Sequence, residues 1–219
     1  MQIAILIPAY NESVQIGQLV RTLKAMGFPL IVVDDGSSDG TAEKAKTGGA
    51  EVICHKKNLG KGAALKTGFE YILNMDYDAV LIMDGDAQHS PSDIHKFIDL
   101  ANKGGNAIII GNRMVDTRNM PFNRKLANMF MSFILSFICS QKIPDSQCGF
   151  RLIKKEVLKN IKIESDRFEV ESEILIKARR AGSTILSVPI RTLYGKESSQ
   201  INPFWDTFRF IAFLIKRPF

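Results

Sequence analysis

The stretch that decides the fold is Ala79-Val-Leu-Ile-Met-Asp-Gly-Asp-Ala-Gln-His89. Its first five residues form a short apolar run, which is typical of a strand buried on both faces, and its last six residues are mostly polar. Similar apolar runs occur elsewhere in the first half of the chain, at 3–7, 30–33, 52–53 and 107–110. The chain is therefore predicted to contain at least five buried strands.

Segments with helical spacing lie between these runs. Leu19, Leu23 and Met26 would share one face of a helix, and 63–73 and 93–101 are two further helix candidates. Strands that alternate with helices, and that are apolar along their whole length, favour a mainly parallel sheet covered by helices on both faces. The predicted fold class is therefore α/β.

Polar residues follow four of the predicted strands at the point where each strand ends. In open parallel sheets, ligands bind beyond the carboxyl ends of the strands. We therefore expect the four polar segments to meet at one edge of the sheet and to form a binding site there. These segments are Pro8-Ala-Tyr10-Asn11-Glu12, Asp34-Asp35-Gly-Ser-Ser-Asp-Gly-Thr41, Asp84-Gly85-Asp86-Ala-Gln88-His89 and Gly111-Asn112-Arg113.

The segment after the strand at 79–83 is the strongest candidate for a metal site. Asp84 and Asp86 are separated by one residue, and Gln88 offers a third oxygen nearby. Mg²⁺ and Mn²⁺ prefer such hard oxygen ligands and complete their coordination with water and substrate phosphates. The alternative is a solvated acidic turn, but the position directly after a buried strand favours the metal.

The segment after the strand at 30–33 has two interpretations. Asp39 and Thr41 are residues that commonly cap a helix. Asp34 and Asp35 fit a cap less well, because two adjacent carboxylates at a strand end repel each other. We expect one of them to accept hydrogen bonds from a nucleobase or ribose.

A glycine-rich segment, Asn58-Leu-Gly60-Lys61-Gly62-Ala63, precedes the second helix candidate. It lacks the spacing of an ATPase phosphate loop. It is either a simple glycine-rich turn or a helix start that brings Lys61 close to a diphosphate.

The composition limits the classes of function that are possible. The chain has 219 residues, of which 45% are hydrophobic and 24% charged, so a wholly disordered or fibrous protein is excluded. The net charge of +6 is unevenly placed: residues 1–110 hold 10 Lys/Arg and 13 Asp/Glu, whereas residues 111–219 hold 19 and 10. An acidic half and a basic half suggest one role in holding a cation and another in meeting an anion.

Three further observations bear on localisation. No signal peptide is recognisable, and no apolar run reaches the roughly 18 residues of a membrane-spanning helix. The three cysteines, at positions 54, 139 and 148, show no Cys-x-x-Cys spacing. They are interpreted as reduced thiols of a cytosolic protein.

The motifs resemble those of a known family when they are taken together. Five of them occur in order: Pro8-Ala-Tyr-Asn-Glu12, Val33-Asp-Asp-Gly-Ser-Ser-Asp-Gly-Thr41, Asn58-x-Gly-Lys-Gly-Ala63, Asp84-x-Asp86-x-Gln88-His89 and Gly111-x-Arg113. They resemble family 2 glycosyltransferases, in the branch of dolichyl-phosphate mannose synthases and related polyprenyl-phosphate sugar transferases. The resemblance continues through Asp145-Ser-Gln-Cys-Gly-Phe-Arg151, Glu169-x-Glu171, Val188-Pro-Ile190 and Tyr194-Gly-x-Glu-Ser198.

This resemblance implies a GT-A fold, a nucleotide-diphosphate sugar donor (a GDP- or UDP-hexose), a divalent cation and inversion at the sugar carbon. It also implies roles for particular residues. Arg113 and Arg124 would face the phosphates, including that of the acceptor. The nucleoside would be held by Pro8, Tyr10, Glu12 and Asp35, and the metal, which is Mg²⁺ or Mn²⁺, by Asp84, Asp86 and Gln88.

Two residues depart from the commoner pattern of this branch. Gly85 stands where alanine is usual, and Asn112 stands where serine is frequent. Both changes are small. They affect the details of donor binding more than the type of reaction.

The basic half carries the features that concern the acceptor. Arg118, Arg124 and Lys125 lie before or at the start of an apolar, aromatic segment, and the end of the chain repeats this mixture, with Lys216-Arg217 as its cations. These two segments, at 122–140 and 203–219, suit interfacial helices on anionic lipid. The alternative is a pair of helices that pack in the core or in a dimer.

Asp145 separates two possible reactions. A hydroxyl acceptor requires a general base, whereas a phosphate acceptor is already ionised. Asp145 is therefore either a base for transfer to a saccharide hydroxyl or a structural loop residue that pairs with Arg151. A third possibility is a module that binds a nucleotide sugar without catalysis, but the presence of Asp84 and Asp86 argues against it.

The sequence leads to one overall hypothesis. The chain is expected to be a single catalytic domain over 1–219, with a donor and metal half at 1–110 and an acceptor half at 111–219. It would transfer mannose or glucose to a polyprenyl phosphate on the cytosolic face of a membrane, as a peripheral protein. A homo-oligomer or a separate membrane subunit remains possible, and nucleic acid is not expected as a partner.

Overall fold

The computed structural model describes residues 1–105, 107–118, 120–191 and 203–216, and at 203–207 and 216 it describes the backbone. The described residues form a seven-stranded sheet in the order β3-β2-β1-β4-β6-β5-β7, in which β6 alone runs antiparallel to its neighbours. The strands are β1 (Ile3–Ala9), β2 (Leu30–Asp34), β3 (Glu51–Cys54), β4 (Ala79–Ile82), β5 (Ala107–Asn112), β6 (Arg151–Lys154) and β7 (Thr184–Pro189).

Helices cover both faces of this sheet, as the sequence predicts. Helices α1, α2 and α4 pack on one face, and α3, α5, α6, α7 and α8 pack on the other. The helices are α1 (Ile16–Ala25), α2 (Thr41–Thr47), α3 (Lys61–Leu73), α4 (Ile94–Ala101), α5 (Phe122–Ile138), α6 (Lys155–Lys159), α7 (Val170–Arg180) and α8 (Pro203–Lys216). The mainly parallel α/β sheet is thus confirmed.

The central strand β1 shows why the apolar runs are continuous. Ile5 and Ile7 point into the core on the side of α1, whereas Ala4 and Leu6 point into the core on the side of α3. All four are fully buried. Successive side chains of a strand face opposite sides, so a strand between two helical layers requires apolar residues at every position.

Four features of the fold differ from the sequence-based expectation. Val52 and Ile53 are only half-buried, because β3 lies at the edge of the sheet and has a single neighbouring strand. Met26 follows the last residue of α1 and is 45% exposed, so it does not share the buried face of Leu19 and Leu23. The strands β6 and β7 are also missing from the prediction.

Asp39 and Thr41 tie the start of α2 to the loop after β1. Asp39 accepts a hydrogen bond from the backbone N–H of Thr41 at 3.1 Å, which satisfies one of the free donors at the helix start. Thr41 Oγ1 accepts from the N–H of Glu12 at 2.8 Å, and the second oxygen of Asp39 accepts from the N–H of Ser13 at 3.0 Å. The N-cap residue of α2 is Gly40, so the expected cap by Asp39 and Thr41 is wrong: Asp39 lies one residue earlier, and the Thr41 hydroxyl holds the neighbouring loop.

Within the described ranges, no helix combines the length and the apolar character that crossing a bilayer requires. The three cysteines are free: Cys54 is exposed, and Cys139 and Cys148 are buried.

Candidate active site

A cavity of about 590 Å³ opens at the carboxyl ends of β1, β2, β4 and β5. The polar segments that follow these four strands do meet there, so the expected convergence is confirmed. Most of the residues singled out from the sequence line this cavity. They are Pro8, Tyr10, Glu12, Asp35, Lys61, Asp84, Gly85, Asp86, Gln88, Arg113 and Arg124.

Asp34 does not line the cavity, whereas Asp35 does, so of the two adjacent carboxylates it is Asp35 that faces the candidate site. It is the last residue of β2 and is only 4% exposed. One of its carboxylate oxygens accepts a hydrogen bond from the N–H of Ser37 at 3.3 Å, within the turn that follows the strand. Because neighbouring residues of a strand point in opposite directions, Asp34 and Asp35 cannot both face the ligand.

Asp35 is held by three donors. His55 Nδ1 lies 2.7 Å from Oδ1, and the backbone N–H groups of Leu59 and Gly60 donate to Oδ1 and Oδ2 at 3.0 and 2.8 Å. A further hydrogen bond of 3.0 Å joins His55 Nε2 to Thr67 Oγ1 on α3. The carboxylate is thereby fixed against the glycine-rich segment before α3.

Lys61, the first residue of α3, lies between two carboxylates. Its ammonium group is 2.6 Å from Asp84 Oδ1 and 2.6 Å from Glu171 Oε1, where Glu171 belongs to α7. Burial lowers the pKa of Lys61, but the two carboxylates outweigh burial and raise it above its ordinary value. Lys61 is therefore a cation in this position. Its ammonium group contacts the two carboxylates and does not face an open site for a phosphate.

The two predicted metal ligands have different environments. Burial raises the pKa of Asp84, but the charge of Lys61 and the hydrogen bond of His89 outweigh burial and lower it. The pKa of Asp86 is raised by burial and by the nearby charge of Asp84. Asp86 Oδ1 accepts from the N–H of Gln88 at 3.0 Å, which shapes the turn that carries all three predicted ligands.

The donor set fits a divalent cation that is shared with a substrate. Among the described residues no three His, Cys, Asp or Glu side chains group into a complete metal site. Asp84 and Asp86 supply two hard oxygen donors on the cavity wall. The ion pair of the Lys61 ammonium group with Asp84 shows that a cation is stabilised there. Mg²⁺ and Mn²⁺ are commonly bound in this way, by one or two carboxylates and substrate phosphates.

Of two glycines beside Asp84, Gly149 is required by close packing and Gly85 is not. A Cβ atom on Gly149 would lie 2.3 Å from Asp84 Oδ2, so any larger residue would displace the carboxylate. A Cβ atom on Gly85 would meet Ala9 and Glu12 at an ordinary 3.4 Å. The alanine that is usual at position 85 would therefore fit, and its absence does not change the shape of the site.

Asp145 forms a buried ion pair with Arg113, so Arg151, which was the partner named for its structural alternative, is the wrong arginine. Its oxygens accept from the backbone N–H, Nε and Nη2 of Arg113 at 3.0, 2.8 and 2.9 Å, and from Asn128 Nδ2 at 2.8 Å. Arg151 instead donates to three backbone carbonyls at 2.6 Å. Burial raises the pKa of Asp145, but Arg113 outweighs burial and lowers it.

Several residues on the acceptor side of the cavity were not predicted from the sequence. Arg167, Phe168 and Arg209 join Arg124 in its lining, together with Met120 and Met131. Arg209 lies in the aromatic segment near the end of the chain, where the mixture of cations and aromatic residues was a usable signal. Glu171 was part of a recognised motif, but nothing in the sequence indicated that it pairs with Lys61.

Helices α5 and α8 each expose several large apolar side chains. On α5 they follow helical spacing along one face: Phe122, Leu126, Phe130, Phe133 and Phe137, with 45–83% exposure. The opposite face of α5 packs on the core through Met131 and Leu135. We call the exposed series, together with Phe208, Ile211 and Ile215 of α8, the apolar stripe.

Some sequence-based expectations lie outside the described residues. They concern the motif at 194–198 and, within the segment at 203–219, the side chains at 203–207 and 216 and all of residues 217–219.

Residues 4–162 match the model of the family described as glycosyl transferase family 2. The chain belongs to this family. It is 37% identical to an uncharacterized protein of Methanocaldococcus jannaschii, over 90% of this chain and 84% of the relative. It is 32% identical to a UDP-N-acetylglucosamine–dolichyl-phosphate N-acetylglucosaminyltransferase of Methanococcus voltae, over 90% of this chain and 87% of the relative.

The solved structures confirm the fold. A glucosyl-3-phosphoglycerate synthase from Mycobacterium tuberculosis, crystallised with Mn²⁺, UDP and phosphoglyceric acid, matches 98% of this chain and 78% of its own length. The TM-score is 0.75 at 17% sequence identity, which establishes a shared fold. The GT-A fold expected from the motifs is therefore confirmed, and the family model and the named relative confirm the glycosyltransferase class.

Proposed function

We propose that this glycosyltransferase moves a hexose, such as mannose or glucose, from a nucleotide-diphosphate sugar to a polyprenyl phosphate. The observation that carries the proposal is that one cavity joins Asp84 and Asp86 to the arginines on the acceptor side. The name of the relative from Methanococcus voltae supports a polyprenyl-phosphate acceptor. So does the name of a dolichol-phosphate mannosyltransferase of Pyrococcus furiosus, to which this chain is 32% identical over 86% of its own length and 56% of the relative.

The donor half, at 1–110, would bind the nucleotide sugar and the metal. Asp84, Asp86 and Gln88 would hold Mg²⁺ or Mn²⁺ against the diphosphate. The metal, when bound, offsets the negative charge that grows on the leaving nucleoside diphosphate. Lys61 would then exchange its contact with Asp84 for the diphosphate while keeping Glu171 as its partner.

The acceptor half, at 111–219, would bind the lipid phosphate. An ionised phosphate oxygen attacks the sugar carbon without prior loss of a proton, so the transfer depends on position and charge. Arg113 and Arg124, with Arg167 and Arg209, line the cavity where that phosphate would lie. Asp145 supports this proposal over a hydroxyl acceptor, because it is fully buried and bound by Arg113 and is thus poorly placed to act as a base.

The apolar stripe would place the protein on the membrane that contains the acceptor, on its cytosolic side. Apolar, aromatic helical faces beside cations bind the interface of anionic bilayers. The stripe lies on α5, the helix that also carries Arg124, so a lipid phosphate and its chain could be bound together. A second copy of the chain or a membrane subunit is the alternative cover for this surface.

A panel of GDP- and UDP-sugars, assayed with and without polyprenyl phosphate, tests the reaction. We expect one donor to yield a lipid-linked sugar that requires a divalent cation. Asp86→Ala should abolish transfer and retain the fold, and Arg124→Ala should impair use of the acceptor more than binding of the donor. Full turnover by folded Asp86→Ala would refute the metal assignment.

Vesicle flotation tests the membrane surface. Phe133→Asp combined with Phe137→Asp should weaken binding to anionic vesicles, since both side chains are largely exposed on the apolar stripe. Met26→Asp is the matched control, because Met26 is an exposed apolar residue beside α1, on the other face of the sheet. Equal binding by the double variant and the control would favour the packing alternative.

A further inference from the structure

We propose that Asn128, on the buried face of α5, is a positioning residue that aims Arg113 at the acceptor phosphate by way of Asp145. This inference rests on the proposed function, in which Arg113 faces the phosphate of the lipid acceptor. It assigns a role to polar side chains on the face of α5 that points away from the apolar stripe.

Three polar side chains follow one another at intervals of four residues along α5. Asn128 and Ser132 are each 4% exposed, and Ser136 is half-buried. Residues four apart lie on the same side of a helix, so the three side chains form one row, which we call the polar row. Polar groups that are buried are almost always hydrogen-bonded, so their partners show what the row holds in place.

The polar row binds both ends of the loop segment at 143–146. Ser136 Oγ accepts a hydrogen bond from the backbone N–H of Ile143 at 2.9 Å. One turn earlier in α5, Ser132 Oγ accepts from the backbone N–H of Ser146, also at 2.9 Å. The segment between these two contacts is thereby fixed against the helix, and it carries Asp145.

Asn128 completes the polar row by binding the side chain of Asp145. Its Nδ2 donates to Asp145 Oδ1 at 2.8 Å and to Met114 Sδ at 3.4 Å, and its Oδ1 accepts from Ser132 Oγ at 3.0 Å. An amide side chain has two N–H donors and one oxygen, so both of its polar atoms are engaged by the protein. Although Asn128 lines the cavity, these contacts favour a positioning role over contact with a substrate.

Asp145 passes this restraint on to Arg113. Its Oδ2 accepts from the backbone N–H and Nε of Arg113, and its Oδ1 accepts from Nη2 of Arg113 and from Asn128. A carboxylate has about four acceptor positions, so all of them are filled. Asp145 therefore cannot rotate without losing hydrogen bonds to its charged group.

The guanidinium group of Arg113 is held by one edge and presents the other. Nε and Nη2 form the edge that binds Asp145. Among the described residues, Nη1 on the other edge has no hydrogen-bond partner, and the side chain is 15% exposed toward the cavity. Two N–H groups on one planar edge suit the oxygens of a phosphate. The direction in which this edge points is set by Asp145, and the rotation of Asp145 is set in part by Asn128.

Steady-state kinetics of the full chain with polyprenyl phosphate test the role of Asn128. The acceptor is supplied in neutral detergent micelles, so that binding to a bilayer does not contribute. In Asn128→Ala the KM for polyprenyl phosphate should rise about 10-fold, because a hydrogen bond to a charged group is lost. The KM for the sugar donor should stay within about twofold, since Asn128 has no contact with the donor half.

Asn123→Ala is the matched control. It makes the same change at an exposed residue of the same helix and should leave both KM values unchanged. Circular dichroism checks that each variant is folded. If Asn128→Ala is not, Ser132→Ala takes its place, because this change removes the hydroxyl group that binds the amide oxygen of Asn128.

A double variant separates positioning from direct contact with the phosphate. If Asn128 acts through Asp145, Asn128→Ala should add little to Asp145→Asn, because the link to Arg113 is already weakened there. The KM for polyprenyl phosphate should then agree within about twofold between the double variant and Asp145→Asn. If Asn128 contacts the phosphate itself, the two effects multiply, and that result overturns the inference.

The remaining outcomes separate this inference from the proposed function. An unchanged KM for polyprenyl phosphate in folded Asn128→Ala overturns the inference and leaves the polyprenyl-phosphate transferase intact. An equal rise in the KM for the donor also overturns it, since such a rise reports a general disturbance of the cavity. Transfer by the wild type to another acceptor, with none to polyprenyl phosphate, overturns the proposed function itself.

Discussion

Replacement of Asp145 by asparagine distinguishes a buried anchor for Arg113 from a catalytic base. Asparagine has the shape of aspartate but lacks the charge, and it presents an amide N–H₂ where one oxygen was. In the wild type, four N–H groups donate to the two oxygens of Asp145, three from Arg113 and one from Asn128, at 2.8–3.0 Å. In Asp145→Asn some of these donors face another donor.

The structure sets the expected magnitude. Removal of one partner from a buried ion pair typically costs about 3–5 kcal/mol. The side chain of Arg113 is 15% exposed toward the cavity, so water can relieve part of this cost, and we expect the lower end, about 3 kcal/mol. For a chain of this size the melting temperature should fall by roughly 6–12 °C.

The pH dependence of stability tests the role of Asp145 as an anchor in a second way. Arg113 holds the pKa of Asp145 below its ordinary value of 3.8, against the opposing effect of burial. A carboxyl group with a lowered pKa stabilises the folded state above its unfolded pKa, and this contribution is lost as the pH falls through the folded pKa. The difference in stability between wild type and Asp145→Asn should therefore be constant from neutral pH to about pH 4 and should shrink below it.

Thermal denaturation followed by circular dichroism is the assay, and Asp116→Asn is the matched control. Asp116 also pairs with an arginine, Arg118, but both side chains are largely exposed, so the control should melt close to the wild-type temperature. An Asp145→Asn protein that melts like the wild type but cannot transfer sugar would refute the anchor and support the base.

Two further predictions concern Lys61 and the packing at the start of α3. Lys61→Met leaves two carboxylates without their cation, so Mn²⁺ should raise the melting temperature of this variant more than that of the wild type. Lys66→Met is the control, because it changes an ion pair elsewhere on the same helix. Equal increases in all three proteins would contradict the interpretation. Gly62→Ala places a Cβ 2.3 Å from the carbonyl oxygen of Ser165 and should lower the stability measured by chemical denaturation. Gly17→Ala is the control, because its Cβ meets only ordinary contacts of 3.5 Å or more, and it should be neutral or stabilising. If Gly17→Ala were the less stable of the two variants, the packing argument would be refuted.

The parts of the fold that the sequence predicts are those that local pattern determines. Strands β1, β2, β4 and β5 are apolar over four or more residues, and their polar ends meet at the cavity because parallel strands end at the same edge. Strand β6 has only Leu152 and Ile153 between cationic residues, so no apolar run marks it. Its first residue, Arg151, is buried because it donates to the backbone carbonyls of Ser146 and Cys148, in the loop before β6, and of Glu171 in α7.

The composition of the site was predictable, but its ion pairs were not. The motifs brought Asp84, Asp86 and Arg113 to one site from the sequence alone. The partners of their charges depend on tertiary contacts between distant segments: Lys61 meets Glu171 across 110 residues, and Arg113 meets Asp145 across 32. No local pattern specifies such pairs, which is why the pairing of Asp145 with Arg151 was a wrong expectation.

The central claim is that the acceptor is a phosphate and that transfer to it needs no base. The most direct measurement supplies one donor sugar, with Mn²⁺, to vesicles that contain either polyprenyl phosphate or the corresponding polyprenol. We expect labelled sugar to enter the lipid phase with polyprenyl phosphate alone, and folded Asp86→Ala to abolish this signal. Equal labelling of polyprenol, or transfer to a saccharide hydroxyl in preference to the lipid phosphate, would contradict it.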